Sequence, residues 1–341
     1  MLTAMQMMSA QPRKVLSDEQ VERFMRDGFV YLPQAFSSSA AHEVVTELIR
    51  LLNVERGIDL HNPPEPRAYV PRKSGPPFDK LNTPTVLGAL DDLLLPTVYD
   101  PAHLESHGYS FFSFPGFQGM PWRPPLRAGR KGTMGDVGEW HIDVGYEVVD
   151  HLDLSSGNCA LVPTFLLTTV EHGGGATVIL PGSHKLIAKL LFAAGGRISR
   201  SRMTAFCEHL TTESSNIVEA LGSAGDLYLL HPLLVHSQSG NSRDTLRVMC
   251  NTGIGLTDRR RITGDHGPLS LCDSITWQAI AEMGEARVSP RKVNMLLDLN
   301  QRIWKPRYDG KVRGTASRLL GVLGGGIVQY IRRCLGESPS P

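Results

Sequence analysis

Short strand-like segments separated by Gly, Asn and Ser turns fill the middle of the chain, and they constrain its fold more than any other feature. They are rich in β-branched and aromatic residues and read, in order, "GYSFFSF", "CALVPTFLLTTV", "ATVILP", "DLYLLH" and "TLRVMCNTGIG". Several short strands at such spacing favour a sandwich or barrel over a parallel α/β sheet. The sequence therefore predicts a mainly β fold whose core spans about residues 105–256.

Helical signals lie on both sides of this core. Ser17 and Gln20 form a capping box in front of an amphipathic segment, and Gly28 suits the left-handed position that ends a helix. We predict N-terminal helices over about residues 17–55 and a C-terminal helical extension over about residues 274–335. The flanking helices and the β core are expected to form a single domain.

The composition limits the classes of partner. Lys and Arg number 35 against 34 Asp and Glu, and this balance gives no strongly basic face for a nucleic acid. No apolar run reaches the roughly 18 residues that stable membrane insertion requires. The five scattered cysteines and the absence of a secretory pattern predict a cytoplasmic protein. The apolar C-terminal stretch "SRLLGVLGGGIVQYIRRCL" leaves a homodimer open.

A His-x-Asp triplet occurs twice, at His141 and Asp143 and again at His151 and Asp153. In a chain with 12 histidines such a triplet arises easily by chance, so the pattern alone is weak evidence for a metal. Each pair could equally be a hydrogen-bonded pair without a ligand. The surrounding sequence has to show which pair, if either, binds a metal.

Three further segments supply that context. The stretch "HGGGATVILPGSHK" places a glycine-rich turn before a strand and a Pro-Gly-Ser-His turn after it, and "GDLYLLHPLLVHSQSGN" adds His231 and His236. The stretch "TLRVMC" places Arg247 within an otherwise apolar strand. A buried guanidinium is too costly to leave unpaired, so Arg247 must reach water or meet an anion.

Together these segments resemble the phytanoyl-CoA dioxygenase family of iron(II)/2-oxoglutarate-dependent oxygenases. The resemblance runs from the first helix to about residue 256, and "WHID", "GGGATVILPGSH" and "HPLLVHSQSGNSRDTLR" carry its specific parts. It implies a double-stranded β-helix, which is a jelly-roll or cupin-like barrel. It also implies iron bound by a His-x-Asp pair and a distal histidine, with an arginine eleven residues after that histidine holding the cosubstrate.

The family spacing selects the distal ligand. Arg247 lies eleven residues after His236, whereas the residue eleven after His231 is Ser242. The resemblance therefore assigns His236 as the distal ligand. His231 is expected to be a structural histidine at the outer face of its strand.

The same spacing selects the first pair. The family motif often follows a tryptophan, and the Pro-Gly-Ser-His turn comes some forty residues later. His141 follows Trp140, and the turn begins forty residues after it, but only thirty after His151. The predicted iron ligands are therefore His141, Asp143 and His236.

The predicted chemistry follows from this ligand set. Two imidazoles and one carboxylate leave positions open on a ferrous ion, as in non-haem oxygenases. The resemblance implies that 2-oxoglutarate and oxygen use those positions, and that a small organic molecule is hydroxylated with release of succinate and CO2. Related halogenases carry a small residue in place of the carboxylate, so the presence of Asp143 disfavours halogenation.

Two residues are predicted to hold 2-oxoglutarate. Arg247 would meet its far carboxylate through a two-pronged ion pair. Gln238 stands two residues after His236, where the family often has a small hydroxyl residue, and its amide could donate to the same carboxylate.

Several alternatives stay open. The same cofactors serve desaturation, ring formation and epimerisation in natural-product biosynthesis, and nothing in the sequence selects the substrate. A non-catalytic barrel that binds metal and ligand, or a cupin-like metalloenzyme without 2-oxoglutarate, are further alternatives. Residues 61–78 are predicted as a proline-rich loop, and residues 114–140, rich in Gly, Pro and basic residues, as either a lid or a solvated loop.

Overall fold

The structure is a computed structural model that describes the chain in several stretches: residues 13–61, 63, 67–71, 73–94, 99, 109–114, 140–143, 151–156, 159–214, 216–257, 260, 262 and 269–283. The predicted lid, apart from residues 114 and 140, lies outside the described residues. So does the predicted C-terminal extension beyond residue 283.

Six helices and eleven strands are defined within the described stretches. In chain order they are α1 (Asp18–Asp27), β1 (Phe29–Leu32), α2 (Ser38–Arg56), β2 (Arg67–Pro71), α3 (Pro84–Leu93), β3 (Tyr109–Ser113), β4 (His151–Asp153), β5 (Val162–Leu166), β6 (Thr177–Ile179), α4 (Ser183–Ala193), β7 (Arg197–Ser199), α5 (Arg200–Glu213), β8 (Val218–Glu219), β9 (Leu227–Leu230), β10 (His236–Gln238), β11 (Arg247–Asn251) and α6 (Leu271–Ala281). A single 3-10 turn (Phe78–Leu81) precedes α3.

The first helix begins and ends as its sequence predicts. The Ser17 hydroxyl accepts from the Gln20 N–H at 3.2 Å, and the Gln20 side chain accepts from the Ser17 N–H at 2.9 Å. Gly28 ends α1 with a φ of 84°, which a residue with a Cβ rarely adopts. The capping box is confirmed, and it fixes the point at which the chain turns into β1.

A six-stranded antiparallel sheet, ordered β1-β9-β5-β11-β3-β2, forms the larger layer. Alternation along its strands divides it into two faces. One face, with Val248 and Cys250 of β11, packs in a common apolar core with α1, α2 and α3. The opposite face, which carries Arg247 and Met249, is turned toward a second sheet.

That second sheet has three antiparallel strands, ordered β10-β6-β8. Thr177 of β6 lies against the larger sheet, because its hydroxyl is 3.5 Å from the Met249 sulfur. The outer face of this smaller sheet, which carries Val178, packs in a separate core with α4, α5 and α6. The described strands thus form two facing sheets that do not close as a barrel, and the predicted mainly β class with flanking helices is confirmed.

Two parts of the sequence fold differently from the prediction. The Pro-Gly-Ser-His segment is the N-terminus of α4 rather than a simple turn, and α5 follows it without having been predicted. Residues 67–71, assigned to a proline-rich loop, form β2 at the edge of the larger sheet, where a strand tolerates Pro71. Within the described part of the chain, none of the helices combines the length and apolar character that crossing a bilayer requires.

Candidate metal centre

His141, Asp143 and His236 meet between the two sheets. One donor atom from each lies within 4.8 Å of the other two. His141 and His236 are held by a bridge in which each backbone N–H donates to the other's carbonyl at 3.0 Å. The Asp143 carboxylate lies 3.3 Å from His236 Nε2 and 3.8 Å from His141 Nε2. We call this group the triad.

The loop that joins β9 to β10 positions two of the three residues. The Asp143 N–H donates to the Pro232 carbonyl at 3.0 Å, and the Val235 N–H donates to the Ser183 hydroxyl at 2.8 Å. His236 Nδ1 lies 2.9 Å from the Leu234 carbonyl, which fixes the proton on that nitrogen. His236 Nε2 is therefore the nitrogen that faces Asp143 and can bind a metal.

The triad is sealed on one side and open on the other. The His236 side chain is 7% exposed, whereas those of Asp143 and His141 are 26% and 37% exposed. Two imidazoles and one carboxylate on one side of a small volume, with access from the other side, match the ligand set of a non-haem ferrous ion. The donors and their arrangement therefore fit iron.

Charge explains why the Asp143 carboxylate stays ionised. Burial favours the neutral form of the Asp143 carboxyl, but the attraction and hydrogen bond of His236 outweigh it, so that the pKa falls to about 2. Burial also opposes the charged form of His236, yet Asp143 raises the pKa of this imidazole. A carboxylate held against imidazoles offers a bound cation the place that a proton otherwise takes.

The second His-x-Asp segment folds into β4 and its carboxylate is already satisfied. The Asp153 carboxylate accepts from the Ser155 N–H at 2.9 Å and the Ser155 hydroxyl at 2.7 Å, and Arg197 lies 3.9 Å away. Asp153 is 4% exposed. Among the described residues, the triad is the one group of His, Cys, Asp and Glu side chains close enough to share a metal ion.

His231 does not lie at the outer face of a strand, as predicted, but in the core. It is 1% exposed, its Nε2 lies 3.2 Å from the Cys272 carbonyl, and its ring is 5.1 Å from that of His184. Burial, with the nearby His184, lowers its pKa well below the ordinary value. The reason is that α6 covers the end of β9, so the imidazole packs between helices. His231 is a structural histidine.

Arg247 is the first residue of β11 and is 2% exposed. Its Nη2 lies 3.4 Å from the Thr177 hydroxyl and also contacts the Met249 sulfur, while its Nε has no partner. No carboxylate in the described part of the chain forms an ion pair with it. Burial and the positive charge of Arg67 lower its pKa to about 9. A buried cation without a counterion marks a place for an anionic ligand.

Gln238 lies close to this guanidinium. It stands two residues after His236 on β10, so the two side chains share a face of the strand. Its register partner is Thr177, the residue that Arg247 contacts. The structure thus brings Gln238 to the neighbourhood that its predicted role requires, although that role stays a prediction.

The sequence analysis missed Arg67, which supplies a second positive charge. Arg67 and Arg247 are both register partners of Ser113, so they flank β3 on the same face of the sheet. Arg67 Nη2 donates to the Ser239 carbonyl at 3.2 Å, and burial lowers its pKa. The Pro-rich surroundings hid this strand, and only the alternation in "RAYVP" could have indicated it.

A family comparison agrees with the predicted resemblance. Residues 130–249 match the family model described as phytanoyl-CoA dioxygenase. This segment includes the triad, Gln238 and Arg247, so the match covers the residues on which the predicted resemblance rests. Among curated proteins, none matches the chain.

Several solved structures are similar at low identity. EctD from S. alaskensis in its apo form is 18% identical, with 73% of this chain and 80% of that chain covered and a TM-score of 0.47. The carbocyclase SnoK from nogalamycin biosynthesis is 16% identical, with coverages of 76% and 96% and a TM-score of 0.46. HygX from Streptomyces hygroscopicus, with nickel and 2-oxoglutarate bound, is 18% identical, with coverages of 75% and 96% and a TM-score of 0.44.

Proposed function

We propose that the chain, whose residues 130–249 match the phytanoyl-CoA dioxygenase family model, is a non-haem iron(II)/2-oxoglutarate-dependent oxygenase that hydroxylates a small organic molecule. The net reaction converts R–H, oxygen and 2-oxoglutarate into R–OH, succinate and CO2. The observation that carries the proposal is the triad on one side of the two facing sheets together with the buried Arg247 on the other, which has no counterion among the described residues.

His141, Asp143 and His236 are the residues that would hold iron. When bound, a ferrous ion supplies oxygen activation coupled to the oxidative decarboxylation of 2-oxoglutarate. The chain contributes a fixed ligand geometry: the backbone bridge aligns the two imidazoles, and the Leu234 carbonyl engages His236 Nδ1, which leaves Nε2 as the nitrogen that would bind the metal. The ionised Asp143 supplies the negative charge of the site.

Arg247 would bind the distal carboxylate of 2-oxoglutarate. Its unpartnered Nε and its Nη2 can donate together to one carboxylate, which is the geometry that a guanidinium favours. The Thr177 hydroxyl and Gln238 lie beside it, and Arg67 adds positive charge from the neighbouring edge strand. The absence of a carboxylate partner among the described residues supports this role.

Apolar side chains from both sheets pack near the residues of the site. Val162 and Leu166 of β5, Ile179 of β6 and Leu230 of β9 belong to one buried group, in which Ile179 is the register partner of His236 and Leu166 that of Met249. Such a wall keeps bulk water from the reacting atoms and strengthens the charge interactions inside the site. Cytoplasmic location, a single domain and the absence of a nucleic-acid partner accompany this proposal as predictions from composition and pattern.

The proposal is tested by succinate release. Iron-loaded protein is mixed with 2-oxoglutarate without oxygen, and oxygen is then admitted together with fractions of a metabolite extract. We expect at least one fraction to raise succinate above the fraction-free level and to yield a product heavier by one oxygen atom. The Asp143→Ala variant, treated identically, should give neither.

Two results would contradict the proposal. Iron and 2-oxoglutarate that bind without any fraction-dependent succinate would indicate a non-catalytic barrel. Turnover that does not need 2-oxoglutarate would indicate a cupin-like metalloenzyme instead.

A further inference from the structure

Arg67 lies on the inner wall, by which we mean the face of the larger sheet that is turned toward the smaller sheet. Ala68 and Val70, which alternate with Arg67 and Tyr69 along β2, belong to the core on the helix side. In the register, one residue of β3 separates Arg67 from Arg247. Neighbouring strands are about 4.8 Å apart, so the backbones of the two arginines lie roughly 10 Å from each other.

Arg67 has no acidic partner in the described part of the chain. Its Nη2 donates to the Ser239 carbonyl at 3.2 Å, which uses only one of the several N–H groups of a guanidinium. Burial lowers the pKa of Arg67, and the positive charge of Arg67 in turn helps to lower the pKa of Arg247. Two shielded cations side by side are costly unless anions enter the space that they face.

Arg67 and Arg247 contact different strands of the facing sheet. That sheet continues from β6 to β10, and the bridge residue His141 lies beyond β10. Arg247 contacts Thr177 of β6, whereas Arg67 contacts Ser239, directly after β10. Arg67 therefore lies one strand nearer to His141 than Arg247 does.

His141 marks the open side of the triad. Its side chain is 37% exposed, against 7% for that of His236. The two arginines differ in the same direction, since Arg247 is 2% exposed and Arg67 is half-buried on the edge strand β2. Tyr69, two residues along the same face of β2, is 44% exposed. A ligand held by Arg247 is thus enclosed, whereas a ligand held by Arg67 lies where molecules enter from solvent.

The formal charges of the site leave one positive charge without a counterpart. Iron(II) and the 2-oxoglutarate dianion carry equal and opposite charges. The ionised Asp143 balances one of the two arginines, and the other arginine remains. A further ligand with a single negative charge would make the described part of the site neutral, and a carboxylate carries that charge.

We propose that Arg67 binds a carboxylate of the primary substrate, while Arg247 holds the cosubstrate. This inference rests on the proposed function and narrows its substrate to small organic acids. The planar guanidinium has N–H groups left for both oxygens of a carboxylate. Ser239 lies three residues after His236, or roughly 10 Å along an extended chain. Several bonds therefore separate this carboxylate from the carbon that is hydroxylated, and the carboxylate takes no part in the reaction.

The first test measures binding without turnover. A metabolite extract is divided on an anion-exchange resin at neutral pH, and each pool is dialysed without oxygen against protein loaded with iron and 2-oxoglutarate. Compounds concentrated by the protein are identified by mass spectrometry. We expect the protein to concentrate an organic acid from the retained pool, and methyl esterification of that pool should abolish the effect. Phosphatase treatment should leave it unchanged, because a carboxylate rather than a phosphate ester is bound.

The second test changes the arginine. Arg67→Ala should raise the Kd for that acid about ten- to a hundredfold, because hydrogen bonds to a charged group are lost. Arg67→Lys should recover part of the loss, since it keeps the charge without the planar fork, and it serves as a second variant if Arg67→Ala fails to fold. The Kd for 2-oxoglutarate should stay within about threefold of that of the unaltered protein, because Arg247 is intact. Arg50→Ala, at an exposed arginine of α2 that pairs with Glu47, should change neither Kd.

Four results would overturn the inference. If the protein concentrates no acid from the retained pool, or if Arg67→Ala binds the acid as the unaltered protein does, Arg67 only supports the Ser239 carbonyl. A Kd for 2-oxoglutarate raised about tenfold or more in Arg67→Ala would place Arg67 in the cosubstrate site. Loss of binding after phosphatase treatment would identify a phosphate ester instead of a carboxylate.

Failure of the proposed function would look different. An acid that binds through Arg67 but gives no succinate when oxygen is admitted would leave the carboxylate site standing and contradict the oxygenase. Succinate release driven only by uncharged compounds would leave the oxygenase standing and contradict the role of Arg67.

Discussion

The two His-x-Asp segments have the same residue pattern and opposite structural fates. In the first, the His141 and Asp143 side chains are half-exposed and converge with His236 on a shared volume. In the second, Asp153 is buried and its carboxylate accepts two hydrogen bonds from Ser155. The metal-ligand pair is thus distinguished by donor atoms that converge with a third donor, and the structural pair by a carboxylate that neighbouring groups already hydrogen-bond.

The two aspartates are held through different atoms. Asp143 is held through its backbone, by the Pro232 carbonyl, while its carboxylate faces the imidazoles of His141 and His236. Asp153 is held through its carboxylate, by the neighbouring Ser155 and near Arg197 of β7. Both segments have the same His-x-Asp sequence. That sequence therefore does not indicate whether the backbone or the carboxylate of the aspartate forms hydrogen bonds with the rest of the protein.

The largest expected effect separates the two segments directly. His141→Ala, Asp143→Ala and His236→Ala should each abolish turnover and remove bound iron, because a three-ligand site does not survive the loss of one donor. His151→Ala should keep its iron. Metal content after gel filtration and succinate release measure both effects. Iron loss from His151→Ala, with His141→Ala still loaded, would reverse the assignment.

Arg247→Ala should have the next largest effect. Leaving one partner of a buried ion pair uncompensated costs about 3–5 kcal/mol, so 2-oxoglutarate should bind roughly two to three orders of magnitude more weakly. Arg247→Lys should recover part of that loss, because an ammonium lacks the planar fork. Titration calorimetry without oxygen measures the Kd, and iron binding should be unchanged.

Arg243→Ala is the matched control for this prediction. Arg243 is paired with Glu171 at 2.7 Å, its side chain is 42% exposed, and it lies twelve residues after His231. The variant should bind 2-oxoglutarate as the unaltered protein does. A raised Kd for Arg243→Ala together with a normal Kd for Arg247→Ala would contradict the assignment of Arg247 as the residue that binds 2-oxoglutarate. It would also weaken the assignment of His236 as an iron ligand.

A third pair of variants compares serines that support each segment. Ser183→Ala leaves the buried Val235 N–H without an acceptor one residue before His236, which costs about 1–3 kcal/mol of stability. Iron should bind about tenfold more weakly, as expected when a residue that orients a ligand is lost. Ser155→Ala removes one bond to Asp153 and should lower stability alone. Equal iron affinities in the two variants would show that Ser183 does not position His236.

The prediction with the smallest effect near neutral pH concerns the pH dependence of stability. Burial, together with the charge of Lys185, lowers the pKa of His184 from 6.5 to about 3. Between these pH values the His184 imidazole is protonated in the unfolded chain but stays neutral in the folded protein. The free energy of unfolding therefore falls as the pH drops through this window. His184→Leu should flatten that fall by up to about 1.4 kcal/mol per pH unit. Urea unfolding at several pH values measures it, and an unchanged slope would refute the assignment.

Local signals made much of the fold predictable. The capping box and Gly28 define α1 because they satisfy backbone groups that every helix end leaves open. Alternating and β-branched stretches predict β5, β9 and β11 because such residues fill a pleated surface. The α4 and α5 helices were not predicted. The Pro-Gly-Ser-His sequence is typical of a turn, and the contact that fixes the start of α4, a hydrogen bond from the Gly182 N–H to the Asp27 carbonyl at the end of α1, is not visible in the sequence.

The site was predictable where the sequence resembles a family with a characteristic ligand spacing. His236 and Arg247 were assigned because their separation of eleven residues matches that spacing, and both lie on strands joined by one connection. Arg67 was not predictable, because it reaches the site through register across strands that are far apart in sequence. Only the pairing of β2 with β3 brings it to the inner wall.

The central claim is that the first His-x-Asp segment holds one ferrous ion beside 2-oxoglutarate anchored on Arg247. Its most direct test is an anaerobic titration of iron and 2-oxoglutarate followed by visible absorption. We predict one iron per chain and a chelate band that needs both components, present in Asp153→Asn and absent in Asp143→Ala. A band of full strength in Asp143→Ala, or iron binding that produces no band with 2-oxoglutarate, would contradict the claim.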